Sequence, residues 1–452
     1  MINRAARIAL GDIRSNCIPF KDGLLTQEKV CVMAGIDYDT PWTRDTAINT
    51  VNAVAVLEPE TAGNTMMSVL EEHDGIVRVG GQYWDKIIWV IAADRFCDIT
   101  ADASFREFAV TVSDNTFRQL EAEEFDDEFG LFRGPAVYGD GVAAYPDRYA
   151  KPGRLYSGIL EWPDHNPDER IGKGYGIPIK ALSTNITYYE AYLAAAGMAD
   201  KAGIMADKAD TWRTRAASLK ENINKYFWNT GTGRYDYFFD HAGKCDYAEA
   251  LGLSFAILSD IADEKKTASI IENTYVSAEG IPVVWPAFPR YAGEETLPDG
   301  RSRRTYGRHC GTIWPHAEGF WALAMKKAGY GKGFDLELMK MAERATRDMH
   351  FAEIYHPDTG EIYGGLQEQH GSMKLWDSCS KQTWSATAFL AMILYGIAGI
   401  SYSDGAITSA PYLPAGMNEA VITGLPTRDG SATISVKRES GKKVTADISF
   451  MV

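Results

Sequence analysis

The sequence is short of positive charge. Its 46 lysines and arginines stand against 61 aspartates and glutamates, which gives a formal net charge of −15. This balance argues against nucleic acid or an anionic membrane as the main partner, because no basic surface remains to neutralise phosphates. The chain also lacks an apolar run near the roughly 20 residues of a membrane span. Its first residues lack the apolar stretch of a secretion signal. These absences predict a cytoplasmic protein.

Paired cysteine motifs and metal-ligand clusters are also missing. The six cysteines are scattered without a CxxC pair, which predicts free thiols in a reducing compartment. Asp164-x-Asn166-x-Asp168 has the opening spacing of a calcium loop, but Glu169 stands where such a loop needs glycine. His350, Glu353 and His356 are three residues apart, but the Pro-x-Thr-Gly turn that follows disfavours a helix and a zinc site. We expect neither a metal nor an organic cofactor.

Aromatic residues are plentiful. The chain has 11 tryptophans and 23 tyrosines, and several lie in glycine- and proline-rich segments rather than in periodic ones. Flat rings with a polar edge suit the C–H faces of sugars, although most of these residues are expected to fill the core. Hydrophobic residues make up 45% of the chain, which is enough for a large buried core.

Helical periodicity dominates the chain from Thr43 to about residue 396. Eleven segments fit it: 44–57, a restart at Pro59, 85–98, 102–123, 178–198, 201–226, 246–260, 264–276, 314–329, 332–349 and 380–396. Many are paired by short turns, which indicates helical hairpins. Longer segments follow the pairs, at 73–84, 125–177, 227–245, 277–313 and 350–379, and they predict loops gathered at one end of a ring. A ring of six hairpins needs twelve helices, so the closing helix is either irregular or hidden within these approximate boundaries.

The two ends of the chain differ from this helical region. Residues 1–40 are interpreted as short strands and turns, with a strand at Lys29–Met33. From Tyr402 the pattern alternates at period two, at 421–423, 432–437 and 443–448. We therefore expect a mainly α catalytic region over 1–400, with an (α/α)6 barrel, and a small β appendage over 401–452.

Two loop segments carry candidate catalytic carboxyls. Glu353 precedes a Pro-x-Thr-Gly turn and would serve as a general base. Asp164 follows Trp162, whose ring could form the apolar wall that raises the pKa of a proton donor. Glu161 and Asp168 lie close enough to compete for the acid role. The plainer interpretation of each segment is a solvated acidic loop.

Aromatic and charged residues beside helix starts are candidates for sugar binding. Trp42, Arg44 and Asp45 form one such group, with a ring for stacking and charges for hydroxyls. The others are Trp162, Arg308, His309, Trp314, Trp376 and Trp384. A simple acid in the first helical turn is the alternative for Asp45.

Four segments resemble, in order, those of the six-hairpin glycosidases, which include glucoamylase, debranching-enzyme glucosidase, processing α-glucosidase I and mannosylglycerate hydrolase. Trp42–Asp45 is similar to the glucoamylase segment whose aspartate holds the terminal sugar. Trp162–Asp164 is similar to the debranching-type loop that bears the general acid, with Pro163 in place of methionine. Residues 311–315 resemble Gly-Thr-x-Trp-Pro, and 353–360 resemble the Glu-x-Tyr-x-Pro-x-Thr-Gly segment whose glutamate is the base.

The resemblance implies an exo-acting, inverting glycoside hydrolase, with Asp164 as acid and Glu353 as base. A terminal α-glucoside on a short glycan is the expected substrate. Three alternatives stay open: a sugar phosphorylase on the same barrel, a sugar epimerase or isomerase that uses His309 and His316, and a glycan-binding protein without turnover. The sequence does not indicate the oligomeric state.

Overall fold

The computed structural model describes residues 1–150, 156–428, 430–439 and 443–451. The α-helices, numbered in chain order, are α1 Ile2–Ser15, α2 Thr43–Asn49, α3 Ala55–Leu57, α4 Pro59–Ser68, α5 Tyr83–Thr100, α6 Ala103–Glu124, α7 Trp162–His165, α8 Leu182–Ala202, α9 Ala206–Tyr226, α10 Ala250–Leu258, α11 Glu264–Asn273, α12 Pro315–Lys327, α13 Gly331–Asp348 and α14 Thr383–Ala391. Two π-helical segments are Thr50–Val54 and Met392–Ile397, and short 3-10 turns are Val142–Ala144, Asp147–Tyr149, Ile159–Glu161 and Pro289–Tyr291.

The strands are short and pair mostly as local antiparallel hairpins. They are Cys17–Phe20, Lys29–Val32, Leu70–His73, Ile76–Val79, Phe125–Asp126, Leu131–Phe132, Lys180–Ala181, Trp228–Asn229, Arg234–Tyr235, Phe238–Asp240, Gly243–Cys245, Ala248–Glu249, Val284–Trp285, Glu294–Thr296, Ser302–Arg304, Leu366–Gln369, Ser372–Leu375, Ile400–Ser403, Ala406–Ser409, Glu419–Thr427, Gly430–Arg438 and Val444–Met451. The predicted strand at 29–33 is confirmed, and it pairs with Cys17–Phe20.

Six helical segments, here called the core helices, lie at the centre of the molecule. They are α2 with its continuation through Thr50–Val54 into α3, α5, α8, α10, α12, and α14 with its continuation through Met392–Ile397. Every residue of α14 is buried. This is expected for a helix that has apolar or small residues on every face. Each core helix contacts the next one along the chain, and α14 contacts α2.

The remaining long helices bury only one face. In α13 the buried residues Phe334, Leu338, Met341 and Ala345 recur at helical spacing, and charged residues occupy the other face. The helix α13 contacts α12, α9 contacts α8, and α6 contacts α5. The eleven predicted helical segments are all confirmed as helical, with shifts of a few residues at their ends.

The N-terminal helix α1 is the twelfth long helical segment, and the prediction of strands and turns throughout residues 1–40 is wrong for it. Its buried residues include Ala5, Ala9 and Ile13, a face of small side chains that packs against α13 and α14. Asp12 is also buried, and its Oδ2 accepts a hydrogen bond from the Phe351 N–H at 2.8 Å. The helix therefore anchors the segment that leads to Glu353.

The C-terminal region forms the predicted β structure. Glu419–Thr427, Gly430–Arg438 and Val444–Met451 make a three-stranded antiparallel sheet with the middle strand in the centre. One face is buried through Ala432, Ile434 and Val436, which alternate with more exposed residues. Residues 429, 440–442 and 452 of the predicted β appendage, and 151–155 of the predicted loop 125–177, lie outside the described residues. None of the described helices is long and apolar enough to cross a membrane.

Replacing Asp12 with alanine should destabilise the protein. The change leaves the Phe351 N–H buried without an acceptor, so we expect the free energy of unfolding to fall by about 1–3 kcal/mol. Urea denaturation followed by circular dichroism measures this. Arg7→Ala, on the exposed face of the same helix, is the matched control and should change stability by less than about 0.5 kcal/mol. Equal effects of the two variants would show that the buried hydrogen bond contributes nothing.

Candidate active site

A cavity of about 260 Å³ lies where the core helices begin. Four N-cap residues line it: Trp42 before α2, Gln82 before α5, Trp314 before α12 and Gln382 before α14. Helix N-termini carry partial positive charge, so the helices favour carboxylates in this cavity. Its volume is near the lower end of small-molecule sites, which span about 300–1,000 Å³. The cavity therefore suits a compact ligand.

Four of the five predicted loops contribute to the wall of the cavity. The loop 73–84 supplies Gln82, and 125–177 supplies Asp140, Gly141, Ser157 and Gly158. The loop 277–313 supplies Arg308 and His309, and 350–379 supplies Glu353, Gln367 and Trp376. The expectation that these loops gather at one end is therefore confirmed for these four.

Glu353 projects a buried carboxylate into the cavity, and only 3% of the residue is exposed. The Tyr38 hydroxyl donates to Oε1 at 3.1 Å, and the Arg308 guanidinium donates to Oε2 at 2.6 Å. The Cys379 backbone N–H also donates to Oε2, at 3.3 Å. These three donors fix the carboxylate on both oxygens, so its orientation toward the cavity is set before a ligand arrives.

Arg308 is itself held by its surroundings. Its guanidinium donates to the carbonyl oxygens of Gly364 and Asp377 and lies over the rings of Trp314 and Trp376, at 5.7 and 5.5 Å from their centroids. A Cβ at Gly364 would stand 1.7 Å from the carbonyl oxygen of Trp376, so only glycine allows this approach. The aromatic residues predicted to bind sugar thus also position the arginine.

Asp140 is a second cavity carboxylate, and its side chain is 39% exposed. Arg44 Nη2 lies 3.3 Å from Oδ2, and His309 Nε2 lies 3.4 Å from Oδ1. Burial acts to raise the pKa of Asp140, but the Arg44 guanidinium and His309 outweigh it and hold the pKa well below its usual range. Asp140 is therefore ionised, and it lies at the more accessible end.

Asp45 is the third carboxyl in the cavity and is buried to 3% exposure. Burial raises the pKa of Asp45 to about 7, against the opposing charge of Arg44. Arg44 also pairs with Asp85 at 3.2 Å, so one guanidinium serves several acids. Trp42 is 43% exposed and presents its ring at the cavity. The predicted group of Trp42, Arg44 and Asp45 is therefore assembled in one place.

His316 lies behind the cavity, fully buried, with its ring stacked on Trp384 at a centroid distance of 4.1 Å. Neither ring nitrogen has a hydrogen-bond partner within the part of the chain that the structure describes. Burial lowers the pKa of His316 to about 3, with Arg44 and His309 adding to the effect. The residue is therefore a neutral ring that supports Trp384 from below.

Two of the predicted site residues do not reach the cavity, and their placement there is corrected. Trp162 is 1% exposed and packs on Tyr149 at a centroid distance of 5.3 Å, so its ring belongs to the core. Because Trp162 turns inward at the start of α7, Asp164 faces solvent and is not among the lining residues. Asp168 is also exposed and absent from the lining. The Glu161 carboxylate accepts the N–H of Gly158, a lining residue, at 3.3 Å and so lies beside the rim.

The other nine predicted site residues all line the cavity: Trp42, Arg44, Asp45, Arg308, His309, Trp314, Glu353, Trp376 and Trp384. The sequence prediction missed Asp140, although Gly139 and Gly141 flank it. A Cβ at Gly141 would lie 2.2 Å from Gln367 Oε1 and 2.4 Å from His309 Cε1. The sequence pattern that could have indicated Asp140 is an acid between two glycines in a long loop. Glycine is needed where the backbone approaches other groups this closely.

The cavity contains acids but no metal-ligand cluster. No three His, Cys, Asp or Glu side chains among the described residues are arranged to hold a metal ion. His356 Nε2 instead lies 2.9 Å from the Arg304 carbonyl oxygen, and Glu353 is engaged by Arg308. Both side chains are therefore engaged by groups of the protein itself.

Comparison with known proteins places the chain in a glycoside hydrolase family. The family model of the mannosylglycerate hydrolase MGH1-like glycoside hydrolase domain matches residues 114–385, more than half of the chain. No curated protein matches the sequence. The fold is similar to that of the GH63 mannosylglycerate hydrolase from Thermus thermophilus, with 14% identity and a TM-score of 0.61 over 86% of this chain and 100% of that one.

Two longer proteins share the fold as well. The GH78 rhamnosidase of Bacillus sp. GL1 matches 99% of this chain with 16% identity and a TM-score of 0.59. A sialidase matches 98% of this chain with 14% identity and a TM-score of 0.67. This chain spans only 40% of the rhamnosidase and 38% of the sialidase.

Replacing His316 with phenylalanine should make stability less sensitive to acid. The folded protein keeps His316 neutral down to a pKa of about 3, while the unfolded chain binds a proton near pH 6.5, so stability is lost as pH falls below that value. Between pH 7 and pH 5 the wild type should lose about 2 kcal/mol more than His316→Phe. Denaturant unfolding at both pH values tests this. His73→Phe, at an exposed histidine, should lose as much stability between pH 7 and pH 5 as the wild type. If His316→Phe also loses as much as the wild type, His316 is not a buried neutral group.

Proposed function

Because the chain belongs to the MGH1-like glycoside hydrolase family, we propose that it is an exo-acting, inverting glycosidase that removes a terminal sugar from a short glycan. The observation that carries the proposal is the cavity in which Glu353, Asp140 and Asp45 meet aromatic rings and two arginines. An α-glucoside is the first candidate substrate, by the resemblance of Trp42–Asp45 to glucoamylase. The names of the structural relatives add mannosyl and rhamnosyl substrates to the set to be tested.

We interpret the architecture as an (α/α)6 barrel over 1–400 with a β appendage over 401–452. The order of contacts among the core helices supports a ring, since α14 contacts α2. The outer positions would be filled by α4, α6, α9, α11, α13 and, last, α1. In this arrangement the starts of the core helices surround the catalytic cavity.

Glu353 is the proposed general base. Its carboxylate is held on both oxygens, by Tyr38 on one side and by Arg308 on the other, so it can orient a water molecule toward the anomeric carbon. Glu353 and Asp140 are held by different arginines, Arg308 and Arg44. Inversion requires the two carboxyl groups to lie about 6.5–9.5 Å apart, which leaves space for a water between base and sugar.

Asp140 is the proposed general acid in place of Asp164. In an exo-acting cavity the terminal sugar lies deepest and the bond to be cleaved faces the mouth. Asp140, with 39% of its side chain exposed, lies nearer the mouth than the buried Asp45. A leaving group seated against Asp140 removes its remaining water, which raises its pKa toward that of a proton donor. Asp45, Arg44 and Trp42 would then hold the terminal sugar.

The alternative reactions, phosphorolysis and epimerisation, require different groups in the cavity. A phosphorylase needs a phosphate site in place of the base, whereas an intact Glu353 supports hydrolysis. An epimerase would use His309 and His316 as an acid and base pair. His316 is buried and its pKa is lowered to about 3, so it is a poor base at neutral pH and does not support that reaction.

The stereochemistry of turnover tests the base. The substrates are a panel of α- and β-linked glucosides, mannosides, galactosides and rhamnosides, together with mannosylglycerate. We expect proton NMR to show the released sugar first in the anomeric form opposite to that of the cleaved bond. Glu353→Gln should lower kcat by about 10²–10⁴-fold, because general base catalysis contributes on that scale. Glu361→Gln is the matched control, a carboxylate of the same loop paired with Arg301 and Arg303. Retention of configuration, phosphate-dependent turnover or an active Glu353→Gln would overturn the proposal.

Leaving-group dependence tests the acid. Asp140→Asn should lose about 10²–10⁴-fold in kcat on natural glycosides, but much less on 2,4-dinitrophenyl glycosides, whose leaving group needs no proton. Asp45→Asn should weaken both substrate types alike, because it holds the sugar. Asp164→Asn and Glu161→Gln should stay near wild type on both. A leaving-group-dependent loss in either of these two variants would assign the acid role there and exclude Asp140.

A further inference from the structure

A second cavity, of about 540 Å³, lies at the other ends of the core helices. Its lining comes from later positions in these helices, such as Asp94 in α5, Leu258 in α10, Leu323 in α12 and Tyr395 after α14. It shares no lining residue with the catalytic cavity. It is therefore a separate site at the opposite face, and larger than the first.

The walls of this second cavity are mainly apolar. Phe255 and Phe320 meet edge to face at a centroid distance of 5.1 Å. The other apolar lining residues are Ile48, Val51, Ile88, Ile91, Leu258 and Leu323. Apolar walls with a few polar groups are the usual composition of a small-molecule site.

Two polar side chains in this cavity lack partners. Asn52 is 2% exposed, and its Nδ2 has no hydrogen-bond acceptor among the described residues. The Tyr395 hydroxyl is likewise without a partner among them. Both residues belong to π-helical segments, Thr50–Val54 and Met392–Ile397, which are the two such segments in the described chain. Local π-helical turns are frequent at functional sites because they redirect side chains.

Some charged residues of the cavity are already engaged. Lys326 Nζ donates to the carbonyl oxygens of Tyr395 and Ala410, and Lys327 pairs with Asp260 at 2.8 Å. Asp98 pairs with Lys201. Lys327 and Asp98 are therefore ion-paired, and Lys326 is held by carbonyl oxygens.

Three charged residues are not engaged in this way. Arg95 lies over the Tyr395 ring at 5.0 Å and has no carboxylate within ion-pair distance in the described part of the chain. Asp94 and Glu190 also have no ion pair there. Burial raises the pKa of Asp94 to about 6, against the nearby charges of Lys201 and Arg95. Burial also raises the pKa of Glu190 to about 7, against those of Lys327 and Arg95. Two unpaired carboxyls thus face one unpaired guanidinium.

We propose that the second cavity binds a small organic cation: a protonated amine on an apolar or aromatic body that also carries a hydroxyl. Asp94 and Glu190, which have no ion pair among the described residues, receive the ammonium group. Phe255 and Phe320 contact the apolar body, since aromatic faces also attract cations. The hydroxyl oxygen accepts from Asn52 Nδ2. The proposal does not depend on the glycosidase mechanism, because no group is shared between the two cavities.

Three probes of one shape and different charge test the proposal. Isothermal titration and ligand-observed NMR should detect benzylammonium binding to the wild-type protein, with benzyl alcohol and benzoate at least about tenfold weaker. Glu190→Gln and Asp94→Asn should each weaken benzylammonium binding by about tenfold or more. Glu107→Gln, at a carboxylate of α6 outside this cavity, is the matched control and should bind as wild type. Circular dichroism and thermal unfolding of each variant report that it is folded.

The position of the hydroxyl is tested separately. Asn52→Leu should weaken 2-amino-1-phenylethanol several-fold while leaving benzylammonium binding unchanged. Glu353→Gln should bind both amines as wild type does, which excludes the catalytic cavity as their site. The proposal is overturned if benzylammonium does not bind, or if benzyl alcohol binds equally well or benzoate binds more tightly. It is also overturned if the double variant of Asp94 and Glu190 binds benzylammonium as the wild type does.

Discussion

Three carboxyl groups occupy one small cavity, and the rest of the site depends on keeping them there. Like charges in a buried cavity repel strongly, so each acid needs its own compensation. Arg308 compensates Glu353, Arg44 compensates Asp140, and Asp45 responds by a raised pKa. The starts of the core helices add partial positive charge from below. The two arginines in turn need rigid surroundings, which for Arg308 are two carbonyl oxygens and the rings of Trp314 and Trp376.

Much of the fold follows from local patterns. The eleven helical segments were predictable because their apolar periodicity reflects burial against neighbours close in the chain. The helix α1 was not, since its buried face consists of Ala5, Ala9 and Ile13, with the polar Asp12 between. Such a face gives a weak apolar signal, and its burial is decided by helices that lie more than three hundred residues away.

The site residues also differ in how far local patterns predict them. Glu353, Asp45 and Arg308 could be predicted because they stand in turns or helix starts with recognisable residue types. Asp140 belongs to an irregular loop, and its place in the cavity depends on how closely Gly141 approaches Gln367 and His309. The sequence leaves open which way Trp162 turns, and this decides whether Asp164 lines the cavity. The packing of that ring on Tyr149 decides it, and no local pattern encodes that contact.

The contacts of α1 also have a consequence for biosynthesis. This helix is synthesised before α13 and α14, which provide the surface that it packs against. The hydrogen bond from Phe351 to Asp12 spans 339 positions of the chain. Until those helices emerge, the small-residue face of α1 has no partner, and the loop that carries Glu353 has no anchor. Translation therefore has to pass α14 before the cavity can assemble, and the earlier helices must remain soluble for that time.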